Sequence, residues 1–108
     1  MPQIIFAYIT TKNKTEAKKI AKVLLKERLC ACANIFDNMS SMYWWKNKIE
    51  ETNETVLIAK TTKNIFSKLS ARVKQLHSYD CPCILQIDVT GGDKEYINWL
   101  TAYLKSPS

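Results

Sequence analysis

Two long extended segments, separated by a tight turn, constrain the fold of this chain more than any other feature. The segments cover residues 29–45 and 48–61, with an interruption at Asp37 and Asn38 and a turn near 46–47. A strand as long as the second segment spans about 45 Å at about 3.3 Å per residue. A compact domain of this size is only about 35 Å across. We therefore predict a β-hairpin whose tip projects beyond its own domain.

Strands and helices alternate on either side of this hairpin. Residues 3–10 form a β-branched and aromatic run, which predicts a strand buried on both faces. Asn13 is placed to cap the following helix, with Glu16 in the capping-box position, and this helix is predicted to end near Arg28. The sequence therefore begins with a strand and a helix before it enters the hairpin.

A second helix, a fourth strand and a last helix follow the hairpin. Thr62 or Asn64 is the predicted cap of the second helix, whose apolar residues recur at spacings of three and four. Residues 85–89 alternate apolar and polar side chains, as in a strand with one dry face. Asp93 is the predicted cap of the C-terminal helix, and the last three residues, 106–108, are predicted to be frayed. The order is βαββαβ plus a helix, which predicts an α+β fold with strand order 4-1-3-2 and two helices on one face.

Composition limits the chain to one ordinary globular domain, residues 1–108. Of the 108 residues, 46% are hydrophobic and 24% are charged, which excludes a disordered or fibrous protein. The net charge of +6 is assigned to a solvated helix face rich in lysine, and no nucleic-acid partner is predicted. No apolar run suits an export signal or a membrane span, so we expect a cytoplasmic protein with its four cysteines reduced.

The central strands and the hairpin tip carry more apolar surface than one chain of this fold can cover. Residues 4–9 and 56–59 are apolar on both faces, although helices cover only one face of such a sheet. At the tip, Tyr43, Trp44 and Trp45 are consecutive, and neighbouring side chains on a strand point to opposite faces. Exposed aromatic rings mark an interface or a binding site. We predict that Tyr43, Trp44 and Trp45 lie in a subunit interface; a ligand platform, packing within the chain and cover by the last helix are the alternatives.

Several segments resemble the CutA family of divalent-cation tolerance proteins, in order along nearly the whole chain. Residues 28–34 are similar to its KLAACVN motif, 41–50 to its SxYWWxGKIE hairpin, 60–61 to its KT pair, 77–84 to HPYExPEI, and 96–100 to YxxWL. The resemblance implies a ferredoxin-like domain assembled as a trimer through its long strands. It also implies a role in tolerance of copper and other divalent metals, and in animal members a role in anchoring acetylcholinesterase.

The sequence departs from the family pattern at four places. Asn47 replaces the glycine of the hairpin turn, and asparagine also tolerates left-handed backbone. Ser78 replaces a proline, and Cys83 replaces a glutamate of the HPYExPEI motif. A cysteine proposed as a copper ligand in some bacterial members is absent here, because Ile9 and Thr10 occupy that part of the strand.

Two cysteine pairs are the candidate metal ligands. Cys30 and Cys32, like Cys81 and Cys83, are two residues apart, so in an extended chain both thiols of a pair lie on one face. With His77, the second pair offers two sulfurs and a nitrogen to copper or zinc. The two pairs are expected at opposite sheet edges, about 14 Å apart, which excludes a four-cysteine site within one chain. The alternative is that all four cysteines are structural and hold no metal.

Catalysis is not predicted, because the single histidine has no nucleophile and acid in a recognisable context. We predict a non-enzymatic homotrimer that acts in divalent metal tolerance by binding metal ions or as a rigid scaffold. No cofactor is required, and copper or zinc is the candidate ion. The alternative is a small-molecule sensor in which Tyr43, Trp44, Lys60 and Tyr79 line a cleft between subunits for an anion or nucleotide.

Overall fold

A computed structural model describes residues 2–105, so the predicted fraying of 106–108 lies outside the described residues. The elements are, in chain order, β1 (Ile4–Thr11), α1 (Lys14–Lys26), β2 (Cys32–Trp45), β3 (Lys48–Thr62), α2 (Phe66–Leu76), β4 (Ile84–Asp88) and α3 (Lys94–Ala102). The strands form one antiparallel sheet in the order β2-β3-β1-β4. The predicted α+β class and the 4-1-3-2 strand order, read from the opposite edge, are confirmed.

The hydrophobic core lies between one face of the sheet and the helices α1 and α2. Its fully buried side chains alternate along the two central strands and recur at helical spacing on the helices. They include Ile5, Ala7, Ile9, Leu57, Ala59, Ile20, Leu24, Leu69 and Val73. The period of two on the strands and of three to four on the helices places all of them on facing surfaces.

Helix α1 begins as the sequence predicts. The Asn13 side chain accepts the Glu16 backbone N–H at 2.9 Å, and Glu16 Oε1 accepts the Lys12 N–H at 3.0 Å. In a capping box that second bond returns to the cap residue itself, so the contact here is shifted by one residue. The helix ends where Arg28 adopts a left-handed backbone, with φ of 58°.

The predicted cap of α2 is wrong. Ile65 occupies the N-cap position and makes no side-chain capping hydrogen bond. Thr62 is instead the last residue of β3, where it pairs with Ile4 in β1. Its hydroxyl donates to the Asn64 side chain within the connecting turn, so neither predicted residue is available to the helix. Tertiary strand pairing thus overrides a local capping preference.

The hairpin projects from the domain as predicted. Lys46 and Asn47 both have left-handed backbone, with φ of 49° and 64°, which is the requirement of a two-residue type I′ turn. The register of β2 shifts between Phe36 and Met39, at the predicted interruption. From Glu54 toward the turn, β3 pairs with β2 alone. The long axis of the molecule is 44 Å against 26 and 21 Å for the others, so the hairpin tip, residues 39–54, extends past the two helices.

Candidate functional site

The face of the sheet that points away from α1 and α2, called the open face below, is apolar. In the register of β1 and β4, Tyr8 lies opposite Leu85 and shares its face. Leu85 and Ile87 are 58% and 47% exposed, whereas Gln86 and Asp88 point toward the helix side. The apolar face predicted for this strand therefore exists, but within one chain it is exposed and turned away from the core.

The two tryptophans at the hairpin tip lie on opposite sides of the ribbon. Trp44 is 71% exposed and pairs with Ile49, while Trp45 is 54% exposed and pairs with Lys48. Both residues are more than half exposed within their own chain. The prediction that one core cannot take both rings is confirmed.

A groove of about 1030 Å³ lies between the hairpin tip and the loop of residues 78–83. Residues of β1 form part of its wall, and the remaining lining comes from β2, β3 and the loop. Lining residues are Tyr8, Thr10, Met39, Ser40, Ser41, Met42, Tyr43, Trp45, Glu50, Glu54, Ser78, Tyr79, Asp80, Cys81 and Cys83. The groove therefore joins segments that are up to 75 residues apart in the chain.

Hydrogen bonds hold the aromatic rings of the groove in place. The Tyr8 hydroxyl donates to Met39 Sδ at 3.7 Å, and the Tyr43 and Thr52 hydroxyls lie 3.3 Å apart. Rings that are fixed in this way lose little freedom when a ligand packs against them. These walls are therefore preorganised.

Tyr79 connects the loop to the hairpin. Its hydroxyl donates to Glu54 Oε2 at 3.0 Å. Burial raises the pKa of Tyr79, and the hydrogen bond to the Glu54 carboxylate raises it further. Tyr79 is consequently a phenol at neutral pH, and Glu54 acts as its acceptor.

His77 fastens the start of the same loop to the end of β1. Its side chain is fully buried. Nε2 lies 2.7 Å from the Thr10 carbonyl oxygen, and Nδ1 accepts the Tyr79 backbone N–H at 3.0 Å. The proton therefore resides on Nε2, which donates it to Thr10, and neither nitrogen has a lone pair left for a metal. His77 does not fit the role of metal ligand in this arrangement.

Glu16 supports this loop from α1. Its Oε2 accepts the Ser78 backbone N–H at 3.0 Å, and its Oε1 accepts the N–H of Lys12. Burial opposes ionisation of Glu16, but these hydrogen bonds outweigh that effect and lower its pKa. A residue in the first turn of α1 thus also positions the wall of the groove.

The four cysteines are free and lie in three environments. Cys30 is buried, and burial raises its pKa to about 12, which is consistent with the predicted structural role. Cys32 is partly buried in β2, while Cys81 is exposed on the loop. Cys83 is partly buried in the groove, and burial raises its pKa. The two pairs sit at opposite edges of the sheet, as expected, and Cys81 and Cys83 alone reach the groove.

Within residues 2–105, no three or more His, Cys, Asp or Glu side chains converge as a ready-made metal site. Cys81 and Cys83 have the soft donor atoms that copper and zinc prefer. His77 is engaged elsewhere. The predicted metal set of His77, Cys81 and Cys83 is therefore not assembled as three ligands, and metal binding there stays a prediction.

The residues of the predicted anion cleft are also divided. Tyr43 and Tyr79 both face the groove, whereas Trp44 does not line it. The Lys60 ammonium donates to the Tyr96 hydroxyl of α3 at 3.2 Å, outside the groove. Within one chain, the only positive charge of the predicted set therefore lies outside this groove, and the predicted cleft between subunits stays a prediction.

The charged residues that line the groove are all acidic. Glu50, Glu54 and Asp80 contribute carboxylates, and no lining residue within the described range is lysine, arginine or histidine. The sequence interpretation missed these three residues. The alternation of Glu50, Thr52 and Glu54 on one face of a strand was the available signal, but the partner loop could not be placed from the sequence. The electrostatics of the groove favour a cation over an anion.

No helix formed by residues 2–105 combines the length and the apolar character that crossing a membrane requires.

Comparisons with known proteins agree on one family. The family model described as "CutA1 divalent ion tolerance protein" matches residues 5–103. The divalent-cation tolerance protein CutA of Pyrococcus horikoshii is 43% identical over 97 residues, which cover 90% of this chain and 94% of that protein. The protein of the same name from Archaeoglobus fulgidus is 43% identical over 95 residues, with 88% and 92% covered.

The fold agrees as well. The crystal structure of CutA1 from Oryza sativa superimposes with a TM-score of 0.94 at 34% identity. The match covers 96% of this chain and 95% of that one. The likeness therefore extends over the whole domain, hairpin included.

Proposed function

Because this chain belongs to the CutA1 divalent ion tolerance family, we propose that it is a non-enzymatic homotrimer that binds the tolerated metal ion itself. The acidic groove beside two thiols is the observation that carries metal binding. The exposed apolar sheet face is the observation that carries assembly.

The apolar open face supports association of several copies. Leu85, Ile87 and Phe36 are all more than 45% exposed in one chain. Exposing these apolar side chains to water costs about 25 cal/mol per Å² of apolar area. Sister copies that pack through this face, with Tyr43, Trp44 and Trp45 reaching a neighbour, remove that cost.

Light scattering coupled to size exclusion tests the assembly. We expect a mass of three chains at micromolar concentration. A monomer at that concentration contradicts the proposed trimer.

Cys81 and Cys83 are the proposed ligands for a soft or borderline ion such as copper or zinc. They lie beside the carboxylates of the groove, which attract cations and add oxygen donors. Because His77 is committed to Thr10 and Tyr79, the ion must complete its coordination from the groove or from a sister copy.

Calorimetry with Cu(I) and Zn(II) tests this part separately. The Cys81→Ser/Cys83→Ser variant should lose saturable binding, whereas Cys30→Ser, with its thiol buried outside the groove, serves as the matched control. Equal binding by the parent and the double variant excludes this site.

A further inference from the structure

We propose that the outer surface of the helices α1 and α2, called the basic layer below, binds a linear polyanion, and that this polyanion is inorganic polyphosphate. The basic layer comprises residues 12–28 and 63–76, which contain the two helices. It lies on the side of the sheet opposite to the open face, and the proposal does not depend on metal binding by Cys81 and Cys83.

The charges of the chain are segregated between the basic layer and the rest of the molecule. The layer contains eleven of the 16 lysines and arginines and only two acids, Glu16 and Glu27. Outside it, the chain has five basic residues and eight acids. The net charge of +6 therefore comes from the helical layer alone, and the remainder of the chain is net acidic.

Neither acid of the basic layer neutralises its lysines. Glu16 is 8% exposed, and its carboxylate accepts the backbone N–H groups of Lys12 and Ser78. Glu27 is held by Arg72, whose guanidinium donates to both of its carboxylate oxygens at 2.9 to 3.1 Å. In the described part of the chain, no lysine forms a salt bridge. The ammonium groups of the layer are therefore available to an external anion.

Four lysines of α1 form a continuous ridge. The ridge consists of exposed residues four positions apart: Lys14, Lys18, Lys22 and Lys26. Their backbones follow one another at intervals of about 6 Å over about 18 Å of helix. Like charges at this spacing repel each other and destabilise a helix. Solubility does not require such a row, because lysines interspersed with acids also provide it. A linear anion laid along the ridge relieves the repulsion.

Helix α2 widens the positive surface beside this ridge. Lys68 and Lys74 are exposed on α2, which contains no acid. The ion pair between Arg72 and Glu27 joins the outer surface of α2 to the end of α1. Helices that pack side by side lie about 8–10 Å apart. The basic layer is therefore a band of positive charge that is two helices wide.

The side chains that the basic layer does not expose identify the class of partner. Among the large apolar residues of the layer, only Leu25 is substantially exposed, at 40%. Interfaces between folded proteins are enriched in aromatic rings and depleted in lysine, and insertion into a lipid surface requires an apolar face. Single-stranded nucleic acids stack their bases on aromatic rings, and the layer, all of which is described, exposes none. A polyanion that presents phosphates alone matches this surface.

Flexibility favours polyphosphate over duplex nucleic acid. In the proposed trimer the open faces are covered by sister copies, so three basic layers point outward in different directions. A duplex has a persistence length of about 50 nm and reaches one layer at a time. A flexible chain of phosphates bends from one layer to the next and gains affinity from each further contact. Contact with several layers rests on the proposed assembly, whereas the charge of each layer does not.

Fluorescence anisotropy of an end-labelled polyphosphate chain, at about 150 mM salt, tests the proposal. We expect saturable binding that weakens as the salt concentration rises. Lys18→Gln/Lys22→Gln removes the two central charges of the ridge, so it should lower the affinity at least about tenfold and make the salt dependence shallower. Lys46→Gln/Lys48→Gln, at the hairpin turn, is the matched control. It removes the same charge outside the basic layer and should change the affinity by less than about twofold.

Stability and mass measurements separate a loss of binding from a loss of folding or assembly. Glutamine has nearly the helix propensity of lysine, and the ridge variant relieves repulsion, so it should unfold at the temperature of the parent or above it. Lys22→Glu creates opposite-charge pairs with Lys18 and Lys26, and it should likewise stay folded and lose affinity. Light scattering of the same samples should show the mass of the parent.

Three results overturn the proposal. An absence of saturable binding at about 150 mM salt excludes a specific polyanion surface. An equal loss of affinity in Lys46→Gln/Lys48→Gln shows that net charge, and not the basic layer, determines binding. Tighter binding of single-stranded RNA, duplex DNA or phosphatidylserine vesicles, at the same phosphate concentration, assigns the layer to that partner and excludes polyphosphate as its ligand.

Discussion

At the scale of single residues, the histidine and the buried glutamate near the groove act as connectors. His77 through both ring nitrogens and Glu16 through both carboxylate oxygens join the end of β1, the start of α1 and loop 78–83. A lone histidine beside cysteines resembles a metal ligand in sequence. In the structure its ring nitrogens instead form hydrogen bonds with the protein, because a buried polar group must be hydrogen-bonded to be stable.

The ionisation of Glu16 makes a testable contribution to stability. Its pKa in the folded protein is lowered from the usual value of 4.5, so its contribution is fully present above that value and is lost as the pH falls through the folded pKa. We expect the free energy of unfolding of the parent to decrease below about pH 4.5 more steeply than that of Glu16→Gln. Urea unfolding between pH 3 and pH 7 measures this. Parallel pH profiles for the two proteins would contradict it.

The thiol of Cys83 predicts a pH dependence of metal binding. Burial raises its pKa, so at neutral pH the metal must displace a proton. Affinity for Zn(II) should therefore rise between pH 6.5 and pH 8.5, and the number of protons released should be larger for the parent than for Cys83→Ser. Calorimetry in buffers of different ionisation enthalpy counts these protons. Equal proton release would show that Cys83 is not a ligand.

At the scale of elements, the hairpin is the feature that local chemistry specifies most completely. The two-residue turn needs positive φ at Lys46 and Asn47, and the bulge places Asn38 in the same region with φ of 61°. Asparagine accepts this backbone more readily than most residues. By contrast, α2 begins without the expected side-chain cap, because Thr62 is held in the sheet.

The turn can be tested by a single substitution. Asn47→Ala forces a Cβ-bearing residue without a compensating polar side chain into left-handed backbone, and it should destabilise the protein by about 1 kcal/mol. Asn53→Ala, in the regular part of the same hairpin, is the control and should change stability by less than about 0.5 kcal/mol. Thermal and urea unfolding provide the measurement. An equal loss in both variants would place the effect elsewhere than in the turn.

At the scale of the whole molecule, the main feature is the distribution of apolar and polar side chains over the two faces of the sheet. Its edge strand β4 turns Leu85 and Ile87 outward and polar residues toward the helix side. A sheet whose second face met only water would have the reverse pattern on this strand. The proposed trimer accounts for the exposed apolar residues of β4. The acidic groove at one end of the same face contains the proposed metal ligands, Cys81 and Cys83.

The open face can be tested with two neighbouring substitutions. Ile87→Glu places a carboxylate on the proposed interface and should convert the trimer to monomer, because burying an unpaired charge costs several kcal/mol. Gln86→Glu introduces the same charge one residue away on the opposite face and should leave the mass unchanged. Light scattering at matched concentrations distinguishes the two. Persistence of the trimer in Ile87→Glu would exclude β4 from the interface.

The sequence alone determined the order of elements, the hairpin turn, the interruption at Asp37 and Asn38, two of the three helix caps and the excess of apolar surface. Each of these depends on residues within a few positions of one another, where backbone preference and periodicity act directly. The groove could be identified only from the tertiary structure. Its residues Glu54, Asp80 and Tyr8 come from segments that are brought together by the strand register and the α2–β4 loop. The roles of His77 and Lys60 were decided in the same way: a side chain's partner is set by what the fold places within about 3 Å of it, and sequence distance carries no information about that.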